Sequence, residues 1–153
     1  MSKADLKRKG EKEMKNLSDP YKVRLFTYGT LKKQGRLAQL VASGEFLGEY
    51  HTLHAVFDLV DYHNSFPIAY LKHKEGMSII GELYEIDLKT MDMINRMESN
   101  ADYTPIIVEI VNEGNTLTNA MMFVNITDEE QMKAVGFTQR NIVNEKGHKE
   151  WIN

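Results

Sequence analysis

Cysteine is absent from the 153 residues. That excludes disulfides, thiolate metal sites, zinc ribbons and cysteine nucleophiles. No apolar run approaches the roughly 18 residues a helix needs to span a bilayer, so no membrane association is expected. The N-terminal stretch MSKADLKRKGEKEMKN lacks the apolar core of a signal peptide, and a cytoplasmic location is expected. A basic excess is missing too: 19 Lys and Arg stand against 22 Asp and Glu, a formal charge of -3. This argues against a dedicated nucleic-acid binder. No repeat, low-complexity run or interdomain linker divides the chain.

What is present is ordinary for one globular domain, with 42% hydrophobic and 27% charged residues. The charge is unevenly placed. Residues 1–22 hold seven Lys and Arg and four acids, a net +3, which leaves -6 for the remainder. This head has almost no large apolar residue with which to bury a face. It reads as a basic polar arm, either solvated or in contact with an acidic partner. Pro20 marks the border with the domain expected over residues 23–153.

Texture changes at Val23. VRLFTY reads as a strand ending at Gly29, and Arg36–Ser43 as a short helix closed by Gly44. Glu45–Tyr50 and Leu53–Asp61 read as strands, HNSFP as a turn, and Ile68–Lys72 and Ser78–Ile86 as further strands. Asp87 suits an N-cap for the helix LKTMDMINRMES. Thr104–Asn112 and Leu117–Asn125 read as a hairpin. TDEE at Thr127–Glu130 resembles a capping box opening a helix to Val135, and the tail from Gly136 reads as irregular. Strands outnumber helices without strict alternation. The expected class is α+β, with a mixed sheet curled into a small barrel and helices flanking it.

Two places could carry chemistry. On the second helix, Met91, Ile94 and Glu98 project within roughly 60° of one another at about 100° per residue. Glu98 therefore points along the apolar stripe. Either it frays into solvent at the helix end, or it is a buried acid. In the second case desolvation and the negative end of the helix both raise its pKa, and such a carboxyl can accept and return a proton. The other place is Tyr28-Gly29-Thr30-Leu31, where a strand runs into a glycine turn. Consecutive backbone N–H groups there form either a plain turn or a nest for an anion. Lys32, Lys33 and Arg36 lie nearby in sequence. The spacing of a P-loop is absent.

The remaining candidates are weaker. His51, His54, His63, His73 and His148 show no zincin spacing, and no G-x-S-x-G elbow exists. The nine methionines, Met91, Met93, Met97, Met121 and Met122 among them, suit an adaptable core or a ligand pocket.

These segments occur in a familiar order. VRLFTYGTLKKQGR resembles the opening of the γ-glutamylcyclotransferase-like family, which includes the AIG2-like proteins and γ-glutamylamine cyclotransferase. SFPIAY resembles that family's Y-P-A segment and GELYEI its G-x-L-Y-x-V strand. INRMES resembles L-D-x-x-E-G, YTPIIVEI resembles Y-x-R-x-x-V-x-V, and KGHKEW resembles a G-D-W ending. The likeness runs from Val23 to Trp151. Asn95 stands where the motif has Asp, Ser99 where it has Gly, and Pro105 where it has Arg.

The resemblance implies an enzyme that converts a γ-glutamyl amine or amino acid to 5-oxoproline and free amine. It places the catalytic acid/base on Glu98 and the α-carboxylate cradle on Tyr28, Gly29, Thr30 and Leu31, with Tyr103 near the pocket. It implies no metal and no cofactor, and a small-molecule substrate bearing a carboxylate or other anionic group. Two other classes stay open: a non-catalytic pocket that sequesters a small anionic ligand such as a nucleotide, and an interaction module working through the basic head. The sequence carries no signal for the oligomeric state or for the amine half of a substrate.

Overall fold

Successive residues of the first strand face opposite apolar layers, and this organises everything that follows. In the computed structural model, β1 spans Lys22–Thr27. Phe26 belongs to one buried cluster and Leu25 to another. The same division runs along later strands, since side chains alternate across a sheet. Leu83, Val108, Ile110, Ala120, Met122 and Val124 join Phe26, whereas Tyr84, Ile86 and Phe123 join Leu25. The first group fills a closed barrel, and the second lies between its outer wall and a helix. The structure describes residues 21–29, 38–62, 66–72, 74–100, 103–125, 141–143 and 146–151.

Along the described residues β1 is followed by α1 (Ala38–Val41), β2 (Glu45–Thr52), β3 (Phe57–Tyr62), β4 (Phe66–Leu71) and β5 (Ile80–Asp87). Then come α2 (Leu88–Asn100), β6 (Tyr103–Val111), β7 (Leu117–Asn125), β8 (Asn141–Val143) and β9 (Lys149–Trp151). The barrel order is β1-β5-β2-β6-β7, and a parallel pairing of Leu25 with Met121 closes it. The expected curled sheet and α+β class are thus observed. β3 and β4 form an antiparallel ribbon whose Phe57, Leu59 and Ala69 join the barrel's interior cluster. No helix among the described residues is long and apolar enough to cross a membrane.

The second helix begins where its cap predicts: the Thr90 N–H donates to Asp87 Oδ1 at 2.7 Å. That bond holds the Asp87 carboxyl below its ordinary pKa. Met91 and Ile94 are the buried residues of α2, and each fully buried side chain of this size contributes about 1.5–3 kcal/mol. The expected break between the second and third strands moves: β2 runs on to Thr52 and β3 starts only at Phe57. Thr52 is buried there because its backbone and hydroxyl both bond Ile79, at 3.0 and 2.9 Å. The tail expected to be irregular contains the short ribbon β8–β9 instead. The basic arm up to Pro20, the capping-box helix at Thr127–Val135 and the start of the Arg36–Ser43 helix lie outside the described residues.

Gly81 marks the tightest crossing in the wall. A Cβ added there would lie 2.2 Å from the Thr27 carbonyl oxygen and 2.9 Å from the Phe26 ring. Neither backbone nor a fully packed ring can yield cheaply. Gly81→Ala should therefore lower stability by about 1–3 kcal/mol, read as a drop in Tm and in the urea midpoint.

The C-terminal ribbon is tied to the barrel by a stack of two imidazoles. His51 of β2 and His148 lie with ring centroids 4.0 Å apart and an interplanar angle of 24°, and Lys146 pairs with Glu113 beside them. Desolvation, then the neighbouring His148 and Lys146, lower the pKa of His51; desolvation and Lys146 lower that of His148. Both groups have folded pKa values below the ordinary 6.5. Their contribution is then complete above pH 6.5 and is lost as pH falls through the folded values. Acidification from pH 7 to 5 should loosen this ribbon, read as faster amide hydrogen exchange in Asn141–Val143 and Lys149–Trp151. Double replacement of His51 and His148 by Phe should abolish the pH-dependent change.

Candidate active site

The end of β1 delivers Tyr28 into the barrel, where it is 7% exposed. A buried phenol needs partners. Its hydroxyl donates a short hydrogen bond to the Phe123 carbonyl of β7. The backbone of Ala69 on β4 bonds it as well. The residue opposite Phe123 in the β6–β7 ladder is Pro105, and theirs is a non-hydrogen-bonded pair, so the Phe123 carbonyl faces away from β6. Tyr28 supplies the donor to that carbonyl from the β1 side of the wall. Its hydroxyl is thereby committed to the framework, and what it sets is the path of the chain into buried Gly29. Thr30 and Leu31, the second half of the expected cradle, lie outside the described residues.

Glu98 sits in the last turn of α2, on the stripe that buries Met91 and Ile94. It is half-buried, and desolvation alone pushes its pKa up from 4.5 to about 7. Its field reaches two phenols. Tyr28 is raised well above 10, first by burial, then by Tyr103 and Glu98. Tyr103, at the start of β6, is raised by burial and then by Glu98. Both phenols therefore stay protonated at neutral pH, neutral neighbours to a carboxyl that is half ionised there. Glu98, Tyr28 and Tyr103, predicted from three separate segments, are brought together by α2, β1 and β6.

The family model described as "Gamma-glutamyl cyclotransferase, AIG2-like" matches residues 25–141. The chain belongs to this family. No curated protein matches it in sequence. Among solved structures, the fold resembles the PH0828 protein of Pyrococcus horikoshii at 24% identity and TM-score 0.55, over 69% of this chain and 80% of that one. A mouse AIG2-like protein aligns at 17% identity and TM-score 0.66, over 87% of this chain and 97% of that one. A structure named as a γ-glutamyl cyclotransferase aligns at 12% identity and TM-score 0.56, over 68% and 66%. At these identities the likeness to solved structures is one of fold.

Some neighbours in this member of the family had no sequence signal. The Phe123 carbonyl is a backbone group. Asn95, noticed only as a departure from a motif, has a buried Oδ1 one turn before Glu98. Asp58 is buried on β3, where its carboxylate accepts from the Leu59 N–H at 2.8 Å and the Tyr70 hydroxyl at 3.2 Å, with Lys72 Nζ 3.8 Å away. A separate cleft of about 330 Å³ is lined by Glu49, His51, Asn112, Lys146 and His148, among others; it includes neither Glu98 nor Tyr28. His51 and His54, close in sequence, are not joined: His51 meets His148 instead. Among the described residues no group of three or more His, Asp or Glu is placed to hold a metal ion.

Tyr28→Phe tests the clasp at the end of β1. It keeps the ring and leaves the Phe123 carbonyl without this donor, which should cost about 1–3 kcal/mol in chemical denaturation.

Proposed function

We propose that the protein is a cyclotransferase that converts a γ-glutamyl amine or amino acid to 5-oxoproline and free amine. The observation that carries this reading is a carboxyl held near neutrality, Glu98 at about 7, beside the residues that lead into the Tyr28-Gly29 turn. Membership of a family that includes γ-glutamyl cyclotransferases supports it.

The chemistry needs little from the protein beyond position and a proton carrier. A γ-glutamyl amide contains its own nucleophile, the α-amine. Gripping the α-carboxylate with the Tyr28–Leu31 loop folds the substrate so that this amine reaches the γ-carbonyl carbon. Glu98, ionised, takes a proton from the α-ammonium, and the freed lone pair forms the new C–N bond of the five-membered lactam. The amide C–N bond to the leaving group then breaks, and Glu98 returns its proton to the departing amine nitrogen. Loop N–H groups stabilise the oxygen anion of the tetrahedral intermediate in this scheme. One group serves as base and acid because its pKa lies near the working pH.

Incubation with a panel of γ-glutamyl amines and amino acids should yield 5-oxoproline, with the rate rising with pH through about 7 as Glu98 ionises. Glu98→Gln should cut the rate about 100-fold or more. The same variant should be more stable than wild type at pH 8. A carboxyl raised in the folded state stabilises fully below about 4.5 and ceases to do so as pH rises through about 7. Keeping it ionised above that costs about 3 kcal/mol. Equal product from Glu98→Gln would remove this residue from the mechanism. No product from any member of the panel, with an unprocessed ligand retained in native mass spectrometry, would instead point to a binding pocket.

A further inference from the structure

Among the described residues, Asn95 Oδ1 is buried and has no hydrogen-bond partner. A buried carbonyl oxygen without a donor is unusual in a folded protein and costs about 1–3 kcal/mol. Asn95 lies three positions before Glu98 on α2, where side chains are neighbours about 5–6 Å apart at Cβ. It stands on the side of the helix that carries Met91 and Glu98, turned roughly 60° from the glutamate at about 100° per residue. An acceptor that lacks a donor thus adjoins a carboxyl that, on the reading above, gains a proton once in every turnover.

The two facts complete each other. An ionised carboxylate only accepts hydrogen bonds and can do nothing for another acceptor. A protonated carboxyl has one O–H to donate. We propose that Asn95 is a positioning residue for Glu98: when Glu98 carries its proton, the Oε–H turns to the Asn95 Oδ1. This rests on the cyclotransferase reading for its place in the reaction. The N–H bond of the substrate ammonium breaks and an O–H bond forms on Glu98. The proton is held in the Oε–H···Oδ1 bond while the lactam closes. It then leaves to the amine nitrogen as the amide C–N bond breaks, and Asn95 is again without a donor. The amide acts through Glu98 and need not touch the substrate.

The titratable groups placed around Glu98 among the described residues are these. From β1 and β6 the titratable groups coupled to Glu98 are Tyr28 and Tyr103, both protonated. Tyr28 gives its proton to the Phe123 carbonyl. From β5, Tyr84 shares the apolar layer against α2, and its hydroxyl is engaged by Glu82 at 3.3 Å. The short helix α1 contributes no titratable side chain. On α2 itself, Asp92 and Arg96 pair with each other on the exposed side at 2.9 Å.

The test is a titration of Glu98 by the carbon-13 shift of its labelled side-chain carboxyl in the full chain, with Glu98→Gln assigning the signal. Asn95→Leu keeps the volume and removes the acceptor. Glu98 should then release its proton about one pH unit lower, a tenfold change in proton affinity. The acid limb of the rate profile should move with it, and kcat should fall more than KM rises. Asn95→Ala, in which packing is lost as well, should lower the titration midpoint in the same direction. An unchanged midpoint in both variants overturns the proposal. So does a rise, because it would mean that the amide nitrogen faces the carboxylate. The titration needs no substrate: if no γ-glutamyl compound is cyclised, the proposed reaction fails while the link between Asn95 and Glu98 is still decided.

Discussion

The hydrogen bond from Tyr28 to the Phe123 carbonyl joins the first strand of the barrel to its last. That carbonyl faces away from β6, since Phe123 and Pro105 are a non-hydrogen-bonded pair, and it needs a donor from the β1 side. One phenol meets that need, packs in the interior cluster and is bonded from β4 by Ala69. The turn that follows at Gly29 starts from a point fixed on three sides. A site assembled on that turn inherits its precision from a residue whose polar atom is unavailable to any substrate. Tyr28 thus belongs to the scaffold of the proposed cradle.

Glu98 is held by the opposite logic. Among the described residues nothing bonds it into the framework in the way Tyr28 is bonded, and burial raises its pKa. The helix that carries it is secured elsewhere, by the Asp87 cap at one end and by Met91 and Ile94 on its inner face. Those interactions hold an otherwise unfavourable carboxyl against the barrel wall. The charge-neutral phenols around it keep the environment apolar without adding an ion that would pull the pKa back down.

Much of the architecture was readable because both layers of the core leave a pattern. The strands at Val23–Tyr28, Ser78–Ile86, Thr104–Asn112 and Leu117–Asn125 all lie within a residue or two of β1, β5, β6 and β7. Asp87 gave away the helix start, and the 3.6-residue period placed Glu98 on the buried stripe. What escaped has physical reasons. Strands β8 and β9 are three residues each, too short for alternation to register. The meeting of His51 with His148 depends on folding across the whole chain. AVFDLV alternated only loosely because Asp58 is buried with its own partners on β3. The partner of the Tyr28 hydroxyl was invisible, since the Phe123 carbonyl is a group that every residue possesses.

The barrel closes through a parallel pairing between its first and last strands, with Leu25 opposite Met121. Closure therefore joins residues from opposite ends of the domain, and such distant pairings are slow to form. During synthesis the wall must wait, incomplete, until β7 has left the ribosome. The edge of β1 that will receive it meanwhile lies open, although Glu98 and its helix have already been made. The acid is therefore synthesised before the strand that completes the wall around it.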